Sequence, residues 1–123
     1  MKTSSSLIKF DNGIDLECGV RLDSFELMVE TYGELNEDKS NGILVCHAFS
    51  GNHHAAGVSE DKKDIGWWDN IIGPDKAVDT NKYFVVCSNN LGGCSGSSGP
   101  LSTNPLSKKP YGKDFPSVSV VDW

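Results

Sequence analysis

Three short, nearly unbroken apolar runs constrain this chain most: Ile43-Leu44-Val45-Cys46, Tyr83-Phe84-Val85-Val86-Cys87 and Val118-Ser119-Val120-Val121. Rich in β-branched residues, they read as strands buried on both faces. About 30 to 40 residues separate one from the next, more than the dozen or so that a parallel crossover requires, so an α/β sheet is expected rather than a β-sandwich. Such a sheet needs helices on both faces. The sequence offers one short candidate, Trp67-Trp68-Asp69-Asn70-Ile71-Ile72, stopped by Gly73-Pro74. That deficit describes an incomplete domain. The end of the chain agrees, because the third run is followed by Asp122, a good helix N-cap residue, and the sequence stops at Trp123 where a helix is due.

Two earlier segments have a different pattern. Leu16-Glu17-Cys18-Gly19-Val20-Arg21-Leu22 and Phe25-Glu26-Leu27-Met28-Val29-Glu30-Thr31 both alternate apolar with polar residues. They predict an antiparallel hairpin with one wet face. The polar stretch from Tyr32 to Gly42 reads as a loop.

A length of 123 residues leaves room for one core, so residues 1–123 are expected to be part of a single domain. No apolar run approaches the roughly 20 residues that span a bilayer, and Met1-Lys2-Thr3-Ser4-Ser5-Ser6 leads into no signal-peptide core. No membrane partner is expected, and the cytoplasm is the default compartment. The net charge of -6 is uneven, with four basic and nine acidic side chains in residues 1–40. Nucleic acid is not an expected partner, because phosphate binding relies on clustered Lys and Arg. The two pairs present, Lys62-Lys63 and Lys108-Lys109, read as solvated loop charges. Of the four cysteines (Cys18, Cys46, Cys87, Cys94), three end or interrupt apolar runs, where cysteine acts as a small buried hydrophobe. Reduced thiols are expected.

Two loops could carry chemistry. Cys46-His47-Ala48-Phe49-Ser50-Gly51-Asn52-His53-His54 holds all three histidines directly after a strand. A zinc site would use Cys46, His47, His53 and His54, but Cys46 should point into the sheet and the spacing matches no structural zinc pattern, so no metal is expected. A polar loop with incidental histidines is the plainer reading. A third reading is a turn at the carboxyl end of a parallel sheet, where open α/β folds place ligands and where backbone N–H groups can face a developing oxyanion. The second loop, Asn89 to Pro100, is glycine-rich but has neither a Gly-Lys-Ser/Thr ending nor a GxGxxG. Gly93-Cys94-Ser95-Gly96-Ser97 also fails as a GxSxG elbow, so none of Ser95, Ser97 or Ser98 is read as a nucleophile. Trp67 and Trp68 read as core or lid residues, and Asp114 as a loop cap. No Ser/His/Asp set is evident.

Taken together, four segments resemble one family: His47-Ala48-Phe49-Ser50-Gly51-Asn52, Gly66-Trp67-Trp68-Asp69-Asn70-Ile71-Ile72-Gly73-Pro74, Ser88 to Cys94 with Gly96-Ser97-Ser98-Gly99-Pro100, and Lys109 to Pro116. In this order they resemble the homoserine O-acyltransferases of the α/β-hydrolase fold, over nearly the whole chain. The resemblance implies an incomplete α/β-hydrolase fold, with an N-terminal antiparallel hairpin, parallel strands and few helices, truncated before the nucleophile elbow. It also implies an enzyme that moves an acetyl or succinyl group from acetyl-CoA or succinyl-CoA to L-homoserine, for methionine synthesis, by Ser-His-Asp ping-pong chemistry. In such a family the triad lies beyond Trp123, so this fragment would be inactive, and a homodimer is implied at full length. What remains here is one oxyanion-hole donor, the backbone N–H at Phe49, where the family usually has Leu. Three alternatives remain: the same fold acting on serine, an ester hydrolase, or a small non-catalytic binding or metal-binding protein.

Overall fold

The run around Val85 becomes an inner strand of a four-stranded sheet in the computed structural model, which describes residues 1–59 and 63–123. In chain order the strands are β1 (Thr3–Phe10), β2 (Ile14–Asp15), β3 (Arg21–Leu22), β4 (Phe25–Tyr32), β5 (Gly42–Val45), β6 (Ile72–Gly73), β7 (Val78–Asp79) and β8 (Phe84–Ser88), followed by a 3-10 turn at Gly112–Asp114. The main sheet is ordered β1-β4-β8-β5. β5 and β8 run parallel with Val45 opposite Cys87, an arrangement that the spacing of the two runs allows, and β4 is antiparallel to β8 with Val29 opposite Ser88. Asp114 falls in the 3-10 turn.

Several expectations need correction. The predicted hairpin of two long alternating arms is instead a small one, β2 against β3, with Ile14 opposite Leu22. Its turn is closed by the Leu16 N–H donating to the Val20 carbonyl and the Gly19 N–H to the Leu16 carbonyl. Gly19 takes φ +83 there, a conformation open to glycine at no steric cost. The alternation of 16–22 therefore came from Leu16 and Leu22 turning inward at either end of a turn. The second alternating segment is a strand, β4, but its neighbours in the sheet are β8 and β1. β1 was invisible in the sequence because Thr3-Ser4-Ser5-Ser6 lacks an apolar pattern, and all eight of its residues are exposed, as suits an edge strand.

Burial on both faces also fails for β5. Leu44 is 69% exposed because alternation turns it to the face opposite the buried Val45, and Cys46, expected to point into the sheet, is exposed as well. Val118–Val121 is not a strand. Asp122 Oδ2 accepts the Ser119 N–H at 2.7 Å and the Asp122 N–H returns to the Ser119 carbonyl, which closes a turn and leaves Val120 and Val121 exposed. The carboxylate of Asp122 also accepts the Glu17 N–H at 2.8 Å, so it anchors a turn rather than opening a helix in this chain. Trp67–Ile72 forms turns, with one helical bond from the Ile72 N–H to the Trp68 carbonyl, before Ile72 enters β6.

The chain divides into two compact units, Met1–Ser6 with Val29–Ser88 and Leu7–Met28 with Asn89–Trp123. In the first, Tyr32, Val45, Ala55, Ala56, Ile72, Val85 and Cys87 form a buried cluster. In the second, Leu16, Leu22 and Leu91 are buried together, with Phe25, Leu27, Phe115 and Val118 packed against them. Where length suggested one core, two apolar clusters are present. The described residues include no helix long and apolar enough to cross a membrane. Lys62, of the first lysine pair, lies outside the described residues.

Candidate functional site

The loop that follows β5 is built in two parts. Its first part is a tight turn in which the Gly51 N–H donates to the Ala48 carbonyl at 2.8 Å, placing Phe49 and Ser50 at the two central positions. His47 lies beneath, with Nδ1 2.7 Å from the same carbonyl. A Cβ on Gly51 would come within 3.0 Å of the His47 Cβ, so glycine lets the turn close against the imidazole. The Phe49 side chain is 87% exposed.

The second part, Asn52 to Gly57, is held by side chains. The fully buried Tyr32 on β4 accepts the Ala55 N–H at 2.7 Å and the Ala56 N–H at 3.1 Å, and its hydroxyl lies 3.2 Å from the His53 carbonyl that it bonds. Two residues earlier on the same strand, Glu30 places both carboxylate oxygens 3.1 to 3.2 Å from His54 Nδ1. Asn52 Oδ1 accepts the His54 N–H at 2.8 Å, and the Asn52 carbonyl accepts Trp67 Nε1 at 2.9 Å. Asp69 accepts the Gly57 N–H at 2.8 Å. Gly66 permits the backbone of Ala55 and Ala56 to approach, since a Cβ there would lie 2.2 Å from the Ala56 nitrogen.

Burial sets the electrostatics. It holds His53 below its ordinary 6.5, with Glu30 opposing and the other two histidines adding to the shift. It pushes the Cys87 thiol up to about 12, helped by Cys46 and Glu30, so Cys87 is inert as a nucleophile at neutral pH. Burial also raises Tyr32 well above its usual range, keeping the hydroxyl protonated. The Gly57 N–H and Lys76 hold Asp69 low.

The structure brings His47, His53 and His54 onto one loop, yet His54 turns to Glu30 and Cys46 is exposed. Among the described residues no group of three or more His, Cys, Asp or Glu could hold a metal ion, and all four cysteines are free thiols. Trp67 and Trp68 are exposed rather than core residues, tilted against one another with ring centroids 5.3 Å apart. In the other unit, Ser97 Oγ accepts the Met28 N–H and donates to the Asn89 carbonyl, while Ser98 Oγ accepts the Glu26 N–H. Those serines serve as backbone staples. Sequence reasoning found the loop but missed Glu30 and Tyr32. The available signal was their parity: both lie on one face of β4, where alternation assigns Glu30 to water while placing a large aromatic beside it.

No protein-family model matches the chain. Among curated proteins it is 59% identical over 121 residues to a homoserine O-succinyltransferase of Marinobacter nauticus, covering 98% of this chain and 32% of that protein. A homoserine O-succinyltransferase of Hahella chejuensis is 62% identical over 117 residues, covering 94% and 30%. Among solved structures, a homoserine O-acetyltransferase from Bacillus anthracis superposes with a TM-score of 0.87 at 37% identity, over 99% of this chain and 34% of that one. Esterase E22 gives 0.86 at 37% identity, over 98% and 34%. These neighbours are α/β-hydrolase-type proteins, and the mostly stranded structure here corresponds to part of that fold. The chain spans about a third of the length of the curated relatives it matches. It is therefore a homologue of the homoserine O-acyltransferases, over a stretch equal to about a third of such a protein.

Proposed function

We propose that this chain is part of a homoserine O-acyltransferase that carries a succinyl group from succinyl-CoA to the hydroxyl of L-homoserine, the activation that precedes methionine synthesis. The observation that carries the reading is the identity of about 60% to curated proteins named homoserine O-succinyltransferase. The chemistry would be ping-pong. A serine outside these residues attacks the thioester carbonyl, a histidine takes its proton and returns it to the departing thiolate, and homoserine then attacks the acyl-serine by the same route.

This chain would contribute the Phe49 backbone N–H to the oxyanion hole. The loop lies directly after the parallel strand β5, where such folds place ligands. Without its nucleophile the chain alone would be inactive. A second reading, ester hydrolysis with water as acceptor, is favoured by the likeness to esterase E22.

Thiol release from succinyl-CoA in the presence of homoserine tests the proposal in two forms. The 123-residue chain alone should give none. A chimera in which it replaces the aligned stretch of the Marinobacter nauticus relative should transfer succinate to homoserine. Phe49→Pro in that chimera deletes the amide at a turn position that favours proline, and should lower kcat roughly a hundredfold to a thousandfold. Phe49→Ala keeps the amide and should change kcat by only about threefold or less. Turnover by the chain alone, or a folded chimera that hydrolyses without transferring, overturns the assignment.

A further inference from the structure

We propose that Glu30 is a positioning residue for the oxyanion loop: by holding the His54 ring it fixes the Ala48–Gly51 turn that presents the Phe49 amide. The inference deepens the acyltransferase reading and, for its catalytic part, rests on it.

Glu30 is 7% exposed, and a carboxylate withdrawn from water that far is costly unless it is paired. A sheet that needed only filling at this position would be served by an apolar residue of similar size. Instead both carboxylate oxygens meet His54 Nδ1, which puts the Nδ1 proton on the side of Glu30. His54 is gripped twice, since its ring is held by Glu30 and its backbone N–H by Asn52 Oδ1. Asn52 adjoins Gly51, whose N–H closes the turn.

The turn is therefore suspended between two fixed ends. One is Val45, in register with Cys87 on β8, and the other is the clamped stretch from Asn52 to Ala56. Tyr32 fixes the backbone at residues 53, 55 and 56, and Glu30 supplies the hold on residue 54, whose N–H is bonded to the Asn52 side chain. Loss of the carboxylate frees the ring while the hydroxyl clamp and the core beneath it remain.

Two measurements test this. The first, amide hydrogen exchange on the chain itself, does not depend on any activity. Glu30→Ala should speed exchange at the Gly51 and His54 amides by roughly tenfold and leave Cys87 on β8 unchanged, whereas Glu30→Gln, whose amide oxygen still accepts from Nδ1, should hold both near the parent rate. Unchanged exchange at Gly51 in Glu30→Ala, or faster exchange spread equally over β8 in both variants, overturns the clamp.

The second measurement uses the chimera. A donor misplaced by a fraction of an ångström to one ångström should lower kcat roughly tenfold to a hundredfold in Glu30→Ala, with KM for both substrates held within about twofold and Glu30→Gln restoring most of the rate. A kcat within about twofold of the parent, or a loss matched by a rise in KM, overturns the catalytic role. An inactive unsubstituted chimera would overturn the acyltransferase reading, and the catalytic role with it, while the exchange result would still decide the clamp.

Discussion

Removing the Tyr32 hydroxyl isolates the energetic worth of the clamp beneath the loop. Tyr32→Phe keeps the ring, and so the packing around a fully buried residue, and deletes one oxygen that serves three backbone groups. Those groups do not suffer equally. The Ala55 N–H also points to the His53 carbonyl at 2.9 Å, so donor and acceptor keep each other when the hydroxyl is gone. The Ala56 N–H has no such second partner among the described hydrogen bonds, and Ala56 is fully buried.

An orphaned buried amide costs about 1–3 kcal/mol, and weakening the other two bonds adds about 1 kcal/mol between them. The expected loss is therefore about 2–4 kcal/mol, against about 1 kcal/mol for Ile72→Val in the same cluster. Urea denaturation of the chain at neutral pH, followed by tryptophan fluorescence, measures both. A Tyr32→Phe loss below about 0.5 kcal/mol with an unchanged m-value would refute the reasoning, because it would mean that solvent reaches the Ala56 amide.

Other perturbations have clear signs. Gly66→Ala places a methyl 2.2 Å from the Ala56 nitrogen, backbone that cannot yield, and should destabilise by about 3 kcal/mol or more in the same urea assay. Ser97→Ala removes a hydroxyl that joins the Met28 N–H to the Asn89 carbonyl and should cost about 2 kcal/mol, read as a lower urea midpoint. His53 gives a pH dependence: burial holds it below 6.5 when folded, so on acidification the unfolded chain takes up the proton first. Stability should be unaffected by His53 well above pH 6.5 and fall as pH drops through that value, until the folded His53 itself protonates. His53→Asn should flatten the slope of urea midpoint against pH in that window. Below it, a further loss is expected as Asp69, held low chiefly by the Gly57 N–H, takes up its proton.

What the sequence disclosed, and what it withheld, follows from the range of the forces involved. β4, β5 and β8 were readable because β-branched and alternating runs carry their own strand signal, and the spacing between β5 and β8 allowed their parallel pairing. β1 was not, since a serine-rich edge strand is defined by its neighbour's hydrogen bonds and not by its own side chains. Val118–Val121 misled for the converse reason: two side-chain oxygens, from Ser119 and Asp122, outweigh an apolar pattern with no partner strand among the described residues. The loop after β5 was legible as a place for chemistry. The residues that steady it were not, because Glu30 and Tyr32 act across more than twenty residues of sequence, and alternation alone assigns the carboxylate to water.

The outer position of β5 has a consequence for handling the protein. With β8 its one neighbouring strand among the described residues, its other rim presents peptide groups without a strand partner there beside an exposed Leu44, a ready template for the same strand of another copy. Light scattering of the isolated chain should therefore rise steeply with concentration. A lysine at position 44 would interrupt that stacking without touching either apolar cluster.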